Sequence, residues 1–165
     1  MSYGQCFPQP RSVVPMSTSC QRYESVVYEL KTSAVVWGAT GYGNPAADPA
    51  IVSALWDTGA RCSVVTQKIV DALGLIPIAR VSACGVNGWY DTPVYVVDVM
   101  LPNQMKIQGV RVSLGAMEVA DMLIGMDVIS MGDFKLINDG KTSFSIRTPS
   151  EGDAPFVADT QEAAR

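Results

Sequence analysis

The sequence predicts a mostly-β domain with two short helices, flanked by segments without regular structure. Three observations predict it. Runs rich in Val, Ile, Tyr and Trp recur along the chain, bounded by Gly, Pro, Asn and Asp. Asn87-Gly88 and Asn138-Asp139-Gly140 stand between such runs as hairpin turns. Helical signals occur at only two places, and a glycine ends each one, Gly74 after Leu73 and Gly132 after Met131. Residues 1–23, rich in Pro, Ser and Gln, read as a disordered tail, residues 24–148 as the domain, and residues 149–165 as a second disordered tail.

In chain order, Val26–Leu30 and Ala34–Trp37 read as two paired strands or one bent strand. Gly38-Ala39-Thr40-Gly41-Tyr42-Gly43 has some look of a dinucleotide-binding loop. Such a loop must open a helix, however, and Asn44-Pro45 and Asp48-Pro49 break one, so it reads as a plain loop. Ile51–Trp56 is an apolar strand that delivers Asp57 onto the turn Thr58-Gly59-Ala60. Arg61–Val65 continues extended, Thr66 is placed to cap a helix over Gln67–Leu73, and Pro77 prevents its resumption. Ile69, Val70 and Leu73 share that helix's apolar face.

Val81–Leu101 reads as a long hairpin with its tip at Gly85-Val86-Asn87-Gly88. Pro102-Asn103 turns the chain into Met105–Ile107 and Val110–Leu114, with Gly109 as a bulge between them. A second apolar strand ends at Leu123-Ile124-Gly125 and leads into one or two helical turns over Met126–Met131. Phe134–Ile137 and Thr142–Ile146 close the domain as a hairpin.

Composition removes several function classes. There is no histidine, so no Ser-His-Asp or Cys-His catalytic arrangement can be built. The cysteines, Cys6, Cys20, Cys62 and Cys84, form no C-x-x-C pair, and no metal site or cofactor is read. Cys62 and Cys84 read as buried small hydrophobes in a reducing compartment. A net charge of −4 without a basic cluster argues against a nucleic-acid partner. Apolar runs are too short to span a bilayer, and no secretory signal precedes them, so no membrane is expected and the expected location is cytoplasmic.

A carboxylate at the end of an apolar strand is costly unless it is paired or used. Asp57 therefore has two readings, a turn residue or a working acid–base group. Acid–base chemistry in this chain is left to carboxylate, lysine and tyrosine.

The ordered set of Asp57-Thr58-Gly59-Ala60, a glycine-tipped hairpin and Asp121-Met122-Leu123-Ile124-Gly125-Met126-Asp127 resembles the retropepsin-like (retroviral-type) aspartic proteases over about residues 35–146. Gly125-Met126-Asp127 is similar to the non-viral, bacterial-like branch. The resemblance implies an all-β, closed-barrel domain with short helices, one lobe per chain, and a flap hairpin. It also implies a homodimer acting on peptide or protein substrates, without metal or cofactor. Each chain would supply Asp57, and the two carboxylates would share one proton and activate a water. Catalytic roles are carried over to Asp57, Thr58 and Gly59, and substrate contacts to Ala60, Gly85, Val86, Asn87 and Gly88. A dimer that binds extended peptides without cutting them is the other function this family fold allows. Trp89 and Tyr90 either contact substrate or pack on the sheet. Arg61 either pairs with Asp127, faces substrate or is solvated.

Overall fold

The structure, a computed structural model, describes residues 12–14, 17–85 and 88–154. Alternation along β4 (Ala50–Trp56) turns Val52, Ala54 and Trp56 into the core and leaves Ile51 and Ser53 outside, the period-2 pattern expected of a strand with one buried face. β4 pairs antiparallel with β3 (Leu30–Gly38) and parallel with β9 (Met122–Ile124). β5 (Val64–Val65) lies against β9 and, on its other side, runs parallel with β8 (Lys106–Leu114). β7 (Gly88–Met100) pairs with both β3 and β8, so the ladder that runs β8-β5-β9-β4-β3-β7 returns to β8. β1 (Ser12–Val14) adds to β8, and β6 (Ala79–Gly85) adds to β7 alone. A separate sheet holds β10 (Asp133–Asn138), β11 (Thr142–Thr148) and β2 (Ser17–Arg22). The helices are α1 (Gln67–Leu73) and α2 (Met126–Ile129), with a 3-10 turn at Pro102–Gln104. The result is mostly β with two short α-helices.

Several local expectations are met residue for residue. α1 buries Ile69, Val70 and Leu73 and ends on Gly74 in the left-handed conformation. The bulge falls where Gly109 (φ 71°) lets the chain step past Asp98, whose buried carboxylate accepts the Gly109 N–H at 2.9 Å. The Asp98 carboxylate thus has a partner in a place where an orphan would be costly.

Four expectations are corrected. The first strand is a single one beginning at Leu30, and residues 26–29 lie outside it. Leu30 faces Trp56, the last residue of β4, so anything upstream of it has no β4 partner. The N-terminal stretch read as a disordered tail contributes β1 and β2. β2 is polar (Ser17-Thr18-Ser19-Cys20-Gln21-Arg22) and shows no hydrophobic alternation; it is held by its ladder with β11. Thr66 precedes α1, but its hydroxyl donates to the Asp121 carbonyl (3.2 Å) and does not cap the helix. Neither Cys62 nor Cys84 is buried. Cys62 is disulfide-bonded, and Cys84 is an exposed free thiol.

The described start of the expected C-terminal tail is also anchored. Arg147, 3% exposed, donates from Nη2 (2.6 Å) and Nε (3.1 Å) to Asp133 Oδ2, and from Nη1 and Nη2 to the carbonyls of Ala154 and Gly152. The Ser150 hydroxyl and the Glu151 N–H also donate to the Asp133 carboxylate. Ser150, with Arg147 and the Glu151 amide, holds the Asp133 carboxyl down at about 2, against an ordinary value of 3.8. A carboxylate depressed on folding stabilises the fold above its unfolded pKa and loses that contribution as pH falls through the folded value. Urea unfolding from pH 5 to pH 2 should therefore show stability falling below about pH 4, and Asp133→Asn should flatten that segment. An unchanged slope in Asp133→Asn would assign the loss to other groups. Residues 1–11 and 155–165 of the two expected tails lie outside the described residues.

Candidate active site

Parallel pairing of β4 with β9 is what builds the site. Ala54, Leu55 and Trp56 stand opposite Met122, Leu123 and Ile124, so the two strands end side by side and release Asp57 and Gly125 together. The Asp57 N–H donates to the Ile124 carbonyl at 3.0 Å, extending the ladder by one rung into the turn. There the Gly59 N–H donates to Asp57 Oδ1 at 2.8 Å and the Ala60 N–H to the Asp57 carbonyl at 3.2 Å. Asp57 is half-buried, and Thr58 and Gly59 are exposed, so the turn presents the carboxylate at the surface of the protomer. A β-carbon at Gly59 would lie 3.1 Å from Asp57 Oδ1, a tight fit against the oxygen that its own N–H holds.

The opposite wall is Gly125. A β-carbon there would meet the Cys62 carbonyl carbon at 2.8 Å and the Cys62 and Ala60 carbonyl oxygens at 2.9 and 3.0 Å, all backbone atoms that cannot swing away. The Met126 N–H donates to the Ala60 carbonyl (2.8 Å) and the Asp127 N–H to the Arg61 carbonyl (3.1 Å), tying the start of α2 to the Asp57 turn. Gly125→Ala should therefore cost about 1–3 kcal/mol by overpacking, read as a lowered urea midpoint. A variant as stable as wild type would show that the two backbones part without penalty.

Behind these segments sits a polar clamp that sequence reasoning did not find. Ser63, fully buried, donates from its amide to Asp127 Oδ2 (3.0 Å) and from its hydroxyl to Asp127 Oδ1 (2.8 Å), while its hydroxyl accepts the Gly125 N–H (3.1 Å). Asp127 Oδ1 also accepts the Val128 N–H at 3.1 Å. Burial pushes the Asp127 carboxyl above its usual range, and the hydrogen bonds from Ser63 and Val128 oppose the shift without cancelling it. The carboxylate that the sequence offered as a partner for Arg61 is thus held by Ser63. The signal that could have found the clamp is the placing of polar Ser63 and Asp127 inside apolar runs on either side of the site.

Farther out, Asp121 joins three elements. It accepts Ser53 N–H (3.1 Å) and Lys68 Nζ (2.8 Å), and these contacts, Lys68 first, hold its carboxyl below the ordinary range. The β6–β7 hairpin pairs from Ala79↔Val94 to Gly85↔Gly88. Gly85 and Gly88 close its tip in register. Among the described residues within 4 Å, a β-carbon at Gly85 would meet only the Tyr90 ring (3.3 Å), and one at Gly88 would meet nothing. Val86 and Asn87, named above as substrate contacts, lie outside the described residues. Trp89 is 66% exposed and Tyr90 45%, so neither is packed into the sheet. A cavity of about 580 Å³ lies between Tyr90–Pro93, the start of α1 and the loop 114–118. Among the described residues, no group of three or more His, Cys, Asp or Glu is gathered where it could hold a metal ion, and no helix is long and apolar enough to cross a membrane.

The aspartyl protease family model matches residues 48–128, a span that opens just before β4 and ends inside α2, and so contains Asp57, Ser63, Gly125 and Asp127. Over these residues the chain is similar to aspartyl proteases. The fold is similar to that of a retropepsin-like aspartic protease from Rickettsia conorii, with a TM-score of 0.51 at 12% identity over 81% of this chain and 95% of that one. The EIAV protease complexed with the inhibitor HBY-793 aligns at a TM-score of 0.45 (19% identity, 64% of this chain and 92% of that one). Simian foamy virus protease aligns at 0.43 (16% identity, 62% and 93%). No curated protein sequence matches the chain.

Proposed function

We propose that the chain is an aspartic endopeptidase that works as a homodimer, each protomer supplying Asp57 to one shared dyad. The observation that carries this reading is the Asp57 turn. A single carboxylate per protomer is presented at the surface, fixed by the Gly59 amide and backed by the Gly125 wall, within the segment that matches aspartyl proteases. One such carboxylate cannot act as base and acid in the same step, whereas two related by a two-fold axis can. Two carboxylates that close do not both ionise, and their protons leave in steps belonging to the pair. The ionised one takes a proton from water as its oxygen attacks the peptide carbonyl carbon, and the protonated one donates to the carbonyl oxygen. Collapse of the resulting diol breaks the C–N bond, with the amine leaving protonated.

Other parts take roles around that step. Thr58, exposed beside Asp57, faces the partner across the axis. The closed ring of strand pairings supports a barrel for each lobe, and the projecting β6–β7 hairpin supports a flap whose tip residues Gly85, Val86, Asn87 and Gly88, with Ala60, contact the peptide backbone. The disulfide at Cys62 favours an oxidising compartment over the cytoplasmic location expected from composition; a mobility shift on reduction of the purified chain would support this, and its absence would remove it.

The test is to incubate the purified chain alone and with an unstructured protein across a pH series, mapping the fragments, with a statine-type transition-state analogue as inhibitor. Cleavage that the analogue blocks is the expected result. A dimeric chain that binds peptides but cuts none at any pH would overturn the proposal.

A further inference from the structure

The glycine-rich loop that follows β3 lies at the root of the β6–β7 hairpin, where β7 changes partner. β7 pairs with β6 as far as Val94, opposite Ala79, and with β3 from Val97, opposite Gly38. At this joint the Ile78 N–H donates to the Val94 carbonyl at 2.8 Å and the Ala39 N–H to the Val96 carbonyl at 3.1 Å. The side chain of Asn44 closes it. Asn44 Nδ2 donates to the carbonyls of Ala39 (3.1 Å) and Val96 (3.3 Å), and Oδ1 accepts the Ile76 N–H at 3.1 Å. One carboxamide, with two donor hydrogens and an acceptor oxygen, thus ties together the end of β3, the return arm β7 and the segment leading into β6. The loop is shaped for that contact. A β-carbon at position 38 would lie 2.8 Å from Asn44 Cβ and 3.0 Å from its Cγ and Nδ2, and Gly41 and Gly43 bend the chain back with φ of 87° and 76°.

We propose that Asn44 is a positioning residue for the β6–β7 hairpin, pinning its root to the body of the domain and so setting how much of the time it lies closed over substrate. The inference rests on the flap reading given above and adds the residue that controls the flap. Pro77 has no N–H, so Ile76 and Ile78 supply the backbone donors of the link into β6, and the first of these goes to Asn44. Ile76 is 47% exposed and Ile78 39%, so packing holds the link only weakly and its hydrogen bonds carry the anchoring. A hairpin loosened at its root spends less time closed, and the apparent affinity of a ligand that needs the closed form falls by that fraction. Once closed, the complex keeps the same Asp57 turn. Loss of Asn44 therefore acts on KM and spares kcat.

The test is amide hydrogen exchange on the whole chain, resolved by segment, with peptide-cleavage kinetics on the same samples. Asn44→Ala should speed exchange across the β6–β7 hairpin about tenfold and leave β4 and β9 unchanged, and KM should rise by a similar factor with kcat held. Asn44→Asp keeps the shape and the acceptor for Ile76 but loses both donors, so it should behave like Asn44→Ala. An Asn44→Asp chain that matched wild type would show that the bonds to Ala39 and Val96 do not pin the hairpin. Exchange rising equally in β4, β9 and the hairpin would make Asn44 a general stabiliser of the fold, and the inference would fall. Faster hairpin exchange with an unchanged KM would overturn it as well, because the hairpin would not close over substrate, while the Asp57 dyad would stand. A wild-type chain that cuts no peptide would sink the protease reading and this inference with it.

Discussion

Asp57→Asn should leave a folded, dimerising chain whose peptide cleavage is lower by about 10²–10⁴-fold, the range supplied by positioned acid–base groups. The substitution keeps the oxygen that accepts the Gly59 N–H, so the turn, the ladder bond to Ile124 and the Gly125 wall should persist. What it removes is the ionised carboxylate able to take a proton from water, and in a dimer it does so twice. Cleavage rates over the whole pH range, with sedimentation as control for assembly, separate the two effects. Retained cleavage in a pure Asp57→Asn dimer would move catalysis to another group.

The second large effect is expected behind the site. Asp127→Ala should cost about 2–4 kcal/mol in urea unfolding, because the buried Ser63 amide and hydroxyl would both lose their acceptor. Activity should fall with it, since the Gly125 N–H rests on the same Ser63 hydroxyl. Asp127→Asn, which retains an acceptor oxygen, should recover most of the loss. It should also remove a pH dependence. With its carboxyl raised on folding, Asp127 favours the folded state at acid pH, and that advantage is lost as pH rises from the ordinary value through the folded one. This is opposite in sign to Asp133, so the two variants bend the pH–stability curve in opposite directions. If Asp127→Ala matched wild type in stability, water would have to replace the carboxylate at the clamp.

Much local structure was legible from short-range rules, although the expected Thr66 cap was not made. The glycine stop of α1 and its three buried residues, the bulge at Gly109, the hairpin closed by Gly85 and Gly88, and the strand delivering Asp57 all follow from turn chemistry, capping and hydrophobic period over a few residues. β2 was not legible, because a polar strand held by backbone bonds to β11 has no side-chain pattern to betray it. Nor was the end of β3 at Leu30, which depends on where its neighbour β4 stops.

The same division runs through the site. By itself the sequence determined that Asp57 would sit on a glycine turn at the end of an apolar strand, that Gly125 would end another, and that no histidine chemistry was open to the chain. Which groups meet was decided by tertiary structure alone. The parallel pairing of β4 with β9 joins residues almost seventy positions apart, and Ser63 comes to Asp127 across a similar separation. No local propensity encodes a contact at that separation. It arises because pairing β4 with β9 buries Ala54, Trp56, Met122 and Ile124 in one core and brings the ends of the two strands side by side.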